Sequence, residues 1–522
     1  PRRVLFRPFL PDSEERCTKI IGRVCALSDS QVHEELERVL AEFRSRHLDL
    51  RGMLVKRFAS VQRFALMDVP FSEDRKQLIG AYFTQEYSLE SSALFNPSVV
   101  WHPDQGGLAK GHKRFVLSLR SLGEGATSCI TFRSGSVDGD GGVRMDPTMS
   151  HADIPEICPS RRYEGNLFGK KLFELGLLNE FARGILDTLG AEFTLEELEA
   201  RLRPALQEER GNREDHASVA NGMVALAQAN YEIEFDPDKP LSARVVLPST
   251  AADRTAVDEG ARARILVSFG GSDPLEVTPR IMRALAGAGA VDVVVGPGFS
   301  AQVRARIEDA RFVEFRDEDG ECTYYATYTA FDGEVFFPQL LETKDFLHFK
   351  SSTLNGPEVK NKGMALFPRK VNGRYAMLSR QDNENIYLMY SDMLHFWFTK
   401  ELLMRPTYTW EYVQLGNCGS PIETEAGWLV LTHGVGPVRR YTIGAILLDL
   451  KNPAKIIGRL REPLLSPDEK EREGYVPNVV YSCGAAVHAG RLILPYAMSD
   501  YASTFATVEL KDLLAALLAS GP

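Results

Sequence analysis

The run Gly427-Trp-Leu-Val-Leu-Thr-His433 decides the fold class. It is short, rich in aromatic and branched residues, and closed by Gly434, which is the pattern of a strand bounded by turn signals. The same texture recurs in Arg114-Phe-Val-Leu-Ser-Leu-Arg120, Thr323-Tyr-Tyr-Ala-Thr-Tyr-Thr329 and Arg374-Tyr-Ala-Met-Leu-Ser-Arg380. Turn pairs such as Asp332-Gly333 and Asn372-Gly373 punctuate these runs. An apolar strand, a turn, then a strand ending in Arg or His beside Gly or Ser, repeated every several dozen residues, predicts propeller blades rather than a sandwich.

Helical segments surround and interrupt this β texture, which begins near Leu94. Residues 13–92 read as helix: Ser30 or Asp29 caps a stripe with apolar spacings of three and four, and a second helix is expected from Asp74 to Tyr87. Residues 160–230 are helical again, with Thr194-Leu-Glu-Glu197 forming a capping box. Arg264-Ile-Leu-Val-Ser-Phe-Gly270-Gly-Ser-Asp-Pro274, a helix to about Ala288, and Val291-Asp-Val-Val-Val295 read as one β-α-β unit. It resembles part of a nucleotide-sugar-binding glycosyltransferase domain, but one such unit cannot cover both faces of a parallel pair, and a structural insertion is the preferred reading. The expected organisation is an N-terminal helical segment over 1–92 and a mainly β, five-bladed propeller over 93–522. That propeller carries a helical insertion at about 146–230 and a small β-α-β insertion at about 256–306.

The bulk properties exclude several classes of function. The chain has 522 residues, is 44% hydrophobic, and carries a net charge of −10 with its Lys and Arg dispersed. Nucleic-acid binding relies on clustered cations, so no such partner is expected. No run approaches eighteen apolar residues, and Pro1-Arg-Arg-Val-Leu-Phe-Arg-Pro8 lacks the apolar core of a signal peptide, so no membrane association is expected. Seven scattered cysteines without a CxxC pair point to reduced thiols in the cytoplasm and to no metal.

Five stretches, in order, carry a family resemblance. Phe95-Asn-Pro-Ser-Val-Val100 with Ser118-Leu-Arg-Ser121 comes first, then Ile307-Glu-Asp-Ala-Arg311 with Tyr325 to Asp332. Asn361-Lys-Gly-Met-Ala-Leu-Phe-Pro368 with Leu378-Ser-Arg380, Thr432-His-Gly-Val435, and Glu473-Gly-Tyr-Val-Pro-Asn478 through Gly484 complete the series. Together they resemble glycoside hydrolase family 130, the β-mannoside phosphorylases with a smaller group of β-mannosidases. The resemblance implies a five-bladed propeller and no cofactor. It implies inverting cleavage of a β-mannosidic bond, with inorganic phosphate as co-substrate and α-mannose 1-phosphate as product.

The resemblance places Asp309 as general acid, its proton reaching the leaving oxygen through a sugar hydroxyl. Taken alone, the residue reads more readily as a partner of Arg311 or a turn cap than as a catalytic acid. Ala310 stands where the family usually has Pro, and Gly363 where many members have Asp. An inverting phosphorylase needs only one carboxyl, because phosphate brings its own nucleophilic oxygen; an inverting hydrolase needs two. Arg311, Lys362, Arg380 and His433 are the expected phosphate-binding set, since guanidinium and ammonium groups suit a dianion. Asn96, Arg120, Asp500 and Tyr475 are the expected sugar-binding residues. Asn96 before Pro97 is equally a turn residue; His433 is alternatively a core histidine, although Gly434 and Arg439-Arg440 favour a position at the rim. A hydrolase using Glu473 or Asp500 to activate water is the second reading, and a non-catalytic sugar-binding propeller the third. The expected partners are a β-mannoside oligosaccharide and phosphate, with a homo-oligomer left open.

Overall fold

Every residue of Gly427–Val435 is buried, as a strand must be when both faces of its sheet are covered. In the computed structural model that cover comes from neighbouring sheets: five antiparallel sheets form the blades of a β-propeller. The structure describes residues 3–246 and 306–522, apart from 12, 48, 66–69, 124–127, parts of 150–161, 209–212 and 332–335. Between 247 and 305 it describes only Arg264–Val267 and Asp292–Val295. Those two strands pair in parallel, Arg264 opposite Asp292; the helix expected between them lies outside the described residues. No helix among the described residues is long and apolar enough to cross a membrane.

Blade 1 runs Ala93–Trp101, Lys113–Leu122, Ser128–Val137 from the axis outward. Blade 2 is Arg306–Arg316, Cys322–Phe331, Phe336–Thr343 and His348–Thr353. Blade 3 is Ala365–Leu366, Tyr375–Ser379, Ile386–Ser391 and Glu401–Met404. In blade 4 the inner strand is split into Gln414–Asn417 and Ile422–Thr424. Both pieces pair with Gly427–Val435, followed by Tyr441–Leu448 and Ile456–Arg459. In blade 5 the inner pieces Val480–Tyr481 and Ala486–His488 both pair with Arg491–Met498, and Ala502–Glu509 lies outside.

Separate apolar clusters glue blade to blade. Phe132 and Phe312 join blades 1 and 2, Leu340 and Met377 join 2 and 3, and Phe367 and Trp428 join 3 and 4. Leu431 and Leu494 join blades 4 and 5, and Phe115 and Ile493 close the ring between 5 and 1. Burying a large apolar side chain is worth about 1.5–3 kcal/mol, so each junction is a substantial bond. The C-terminal helix Leu510–Ser520 packs on blade 4, where Arg459 N–H donates to Gly521 O at 2.9 Å.

The insertion after blade 1 supplies helices Gly165–Glu174, Glu180–Asp187, Leu195–Glu208 and Arg213–Gln228. The Thr194 capping box forms, with Glu197 N–H donating to Thr194 Oγ1 at 3.3 Å and Thr194 N–H to Glu197 Oε2 at 2.8 Å. Beyond the helices, Glu232–Glu234 extends blade 2 by pairing with His348–Thr353, and Val245–Val246 extends blade 1. The insertion thereby clips two blades together at their outer edges.

The N-terminal region corrects one expectation. Helices occupy Glu14–Cys25, Asp29–Phe43, Leu50–Val61 and Glu73–Tyr82, but Thr84–Ser88 is a strand rather than the end of a helix reaching Tyr87. It pairs antiparallel with Val4–Pro8, Val4 opposite Ser88. The partner satisfies the backbone while Tyr87 is buried, with the Arg7 guanidinium 3.5 Å from its ring centroid. A long-range pairing of this kind overrides local helical spacing. Arg3 and Arg133 both donate to Glu90, at 2.9 and 2.6 Å, tying the start of the chain to blade 1.

Candidate active site

Two β-bulges build the centre of the site. Pairing slips between Phe95 and Ser98 in the inner strand of blade 1, and between Glu308 and Arg311 in that of blade 2. At each slip a residue takes the left-handed conformation, Asn96 at φ 50° and Asp309 at φ 55°. Asn and Asp tolerate this conformation better than other side-chain-bearing residues, and a bulge re-aims a side chain. The two re-aimed side chains meet: Asn96 Nδ2 donates to Asp309 Oδ1 at 2.5 Å.

Cations close around this pair. Arg311, 2% exposed, donates from Nη1 to the Asp309 backbone oxygen at 3.0 Å and from Nη2 to the Tyr481 hydroxyl at 2.7 Å. Its Nη2 also lies 3.9 Å from Asp309 Oδ2. Glu308 holds two more cations: Arg120 Nη2 at 3.0 Å from Oε1, and Lys362 Nζ at 3.5 Å from Oε2. One carboxylate thus bridges side chains from blades 1, 2 and 3.

His433 lies behind Arg380. Arg380 Nη1 donates to His433 Nε2 at 3.0 Å, so that nitrogen accepts and Nδ1 carries the proton toward Cys418 Sγ, 3.9 Å away. Burial, reinforced by Arg380 and Arg311, pushes the imidazole pKa well below its ordinary value. His433 is therefore neutral and aligns Arg380 rather than adding charge. Gly416 makes this possible, because a Cβ there would lie 2.4 Å from His433 Cε1.

The two carboxyls Asp309 and Asp500 behave differently. Burial alone would raise Asp309, but Lys362, Arg311, Arg120 and Arg380 outweigh it and hold the carboxyl below its usual range. Asp500, at the tip of the blade 5 hairpin, is pushed up to about 6, first by burial and then by the charge of Asp309. Asp309 is ionised at neutral pH, and Asp500 takes up a proton near pH 6.

Of the residues expected from sequence, Asn96, Asp309, Arg311, Lys362, Arg120, Arg380, His433 and Asp500 are joined here by direct contact or by mutual electrostatic action. Tyr475 is 68% exposed on the lead-in to blade 5, and Glu473 is exposed beside it. Trp397, not counted among the site residues, is fully buried. Sequence reasoning missed Glu308 and Tyr481, although both lie within the quoted stretches. The available signal was position: Glu308 precedes the bulged Asp309, and Tyr481 ends the first inner strand piece of blade 5. Beside Lys362 and Arg311, a cleft runs between blades 2 and 3, lined also by Asn361, Gly363, Thr327 and Gln339.

Residues 291–518 match a family model described as beta-1,4-mannooligosaccharide phosphorylase. A 1,2-beta-oligomannan phosphorylase of Thermoanaerobacter sp. (strain X514) is 38% identical over 215 residues, 40% of this chain and 69% of that one. A beta-1,2-mannobiose phosphorylase of the same organism is 34% identical, over 39% of this chain and 67% of that one. The solved beta-1,2-mannobiose phosphorylase of Listeria innocua is 31% identical, with TM-score 0.37, over 41% of this chain and 60% of that one. By this similarity in sequence, the chain belongs to glycoside hydrolase family 130.

Proposed function

We propose that the protein cleaves β-mannosides by inverting phosphorolysis, releasing α-mannose 1-phosphate. The observation that carries this reading is the charge balance around Asp309. Four cations, Arg120, Arg311, Lys362 and Arg380, act on Asp309, and two of them, Arg120 and Lys362, also pair with Glu308. Even set against Asp309, Glu308 and Asp500 together, these cations are in excess, which suits a phosphate anion. The names of the relatives point the same way.

The balance also couples phosphate to acid catalysis. A general acid must hold a proton, and the cations keep one off Asp309. A dianion among those cations cancels their field, and burial then raises the carboxyl so that it takes a proton from solvent. A phosphate oxygen next forms a bond to the anomeric carbon on the face opposite the leaving group. The glycosidic C–O bond breaks, and its electron pair on the leaving oxygen takes the Asp309 proton, through a mannosyl hydroxyl if the family's relay operates. Asn96, Arg120 and Asp500 orient the mannosyl ring. Water brings no charge to cancel, so the hydrolytic reaction lacks a loaded acid.

The test is incubation of β-1,2- and β-1,4-linked mannobiose with and without phosphate, following α-mannose 1-phosphate by phosphorus NMR and free mannose by chromatography. Phosphate-dependent formation of the sugar phosphate is the expected result. Equal release of mannose with and without phosphate would overturn it in favour of hydrolysis, with Asp500 as the base.

A further inference from the structure

The hairpin that ends blade 4's second strand overlooks the mouth of the site. Gly436 N–H donates to Arg440 O at 2.9 Å and Arg440 N–H to Pro437 O at 3.2 Å, closing a four-residue turn. Its two central residues are left-handed, Val438 at φ 58° and Arg439 at φ 52°. This is a type I′ turn, which ordinarily carries Asn-Gly or another pair at ease with positive φ. A β-branched valine in that conformation is an outlier, and this one is 88% exposed. Burial does not explain the choice of residues.

The base of the turn is rigid. The Trp410 ring lies where Cβ atoms on Gly434 and Gly444 would stand, 2.4 and 2.6 Å from ring carbons. Its indole N–H donates to Arg461 O at 2.9 Å. The turn is thus held in a fixed attitude.

Arg439 heads a column running inward from the mouth. Its guanidinium carbon is 5.9 Å from the Tyr441 ring centroid. The Tyr441 and His433 rings are stacked at 5.9 Å and 14°, and His433 accepts from Arg380. Arg439 is exposed and has no ion-pair partner among the described residues. Asp500, in the turn that ends blade 5's second strand, feels the charges of Asp309, Arg120, Arg439 and Lys362. Asp309 is buried while Val438 and Arg439 are exposed, so a saccharide whose mannosyl ring lies at Asp309 extends its remaining sugar outward, toward the exposed end that carries the turn.

We propose that the Val438–Arg439 turn recognises the sugar unit on the leaving-group side, its guanidinium binding paired hydroxyls and the valine packing on the apolar face of the ring. The inference rests on the proposed reaction for the direction of the leaving group. A planar fork of donors beside a small apolar surface suits a hexose, which offers adjacent hydroxyls on an apolar ring face.

The test compares a mannobiose with an aryl β-mannoside, which presents no sugar on the leaving side. In R439A the KM for the disaccharide is expected to rise at least tenfold while that for the aryl mannoside changes by less than threefold. V438N/R439G installs a favoured turn pair, so it should fold at least as well as the wild type and show the same selective loss. Equal changes for both substrates, no change for either, or a selective rise in the KM for phosphate would each overturn the proposal. A wild type that acts without phosphate refutes the phosphorylase reading instead. The disaccharide-to-aryl ratio still reads the turn in that case.

Discussion

Four two-residue turns, two at each end of the blades, adopt the same backbone with very different residues. At the end away from the site, Asn372-Gly373 closes the inner hairpin of blade 3 (φ 52° and 77°), and Ala489-Gly490 closes that of blade 5 (φ 47° and 76°). At the mouth, Val438-Arg439 and Ser499-Asp500 have φ of 58° and 52°, and 48° and 52°. Tyr501 N–H donates to Met498 O at 3.0 Å, making the second mouth turn the counterpart of the first. Glycine relieves the left-handed conformation in both distal turns and in neither mouth turn. An L-residue held there costs about 1–2 kcal/mol. The difference teaches that the mouth retains backbone strain that glycine relieves at the distal end.

The largest effect is expected where left-handed backbone and chemistry coincide. Asp309→Asn keeps a residue that tolerates positive φ and retains an oxygen for Asn96, so the fold should persist. Without a transferable proton, kcat should fall by about 10²–10⁴-fold. Steady-state rates beside thermal unfolding check both parts, and an active variant would remove Asp309 from the chemistry.

Asp500→Asn separates function from stability at the mouth. The folded carboxyl is raised to about 6, so the fold favours its protonated form. Its stabilising contribution is fully present below the unfolded value near pH 4 and is lost as pH rises through 6. At pH 7 the amide variant should be more stable than the wild type, by on the order of 1–3 kcal/mol, with the advantage vanishing near pH 4. Activity should nevertheless drop about tenfold or more through loss of the sugar contact proposed for this carboxyl. Denaturant melts at pH 7 and pH 4 read the stability part, and an advantage independent of pH would refute the cause assigned here.

The same contrast explains what could be read from the sequence. Asn372-Gly373 is legible because the pair itself favours the turn, and strand texture such as Gly427–Val435 is legible because apolar runs demand cover. The motifs gave the polypeptide positions of Asp309, Lys362 and Arg380. Bulges at Asn96 and Asp309 left no local sign beyond residues that tolerate positive φ. The two mouth turns are illegible for a physical reason: Val438 and Ser499 run against local preference, and only tertiary contacts such as those of Trp410 impose the conformation. The neutrality of His433 and the bridging role of Glu308 arise from groups distant in the chain. So does the Thr84–Ser88 strand, whose partner lies at the start of the molecule.

At the distal end, conformational cost can be isolated. A Cβ on Gly373 would meet nothing within 4 Å, so Gly373→Val transplants the mouth's strain without a clash. It should destabilise the protein by about 1–2 kcal/mol and leave kcat and KM unchanged. An altered rate would mean that strain in a distal turn reaches the site.

The smallest effect runs in the opposite direction. Ala489 is left-handed at φ 47°, a conformation in which Asn is more at ease because its short polar side chain bonds locally. Ala489→Asn should therefore raise stability by roughly 0.5–1 kcal/mol, seen as a higher urea midpoint, with catalysis untouched. Paired with V438N/R439G, which should also gain stability but lose the disaccharide, it isolates the comparison. If both exchanges left kinetics alone, the mouth turn would be only another hairpin, and its unrelieved strain would have no functional counterpart.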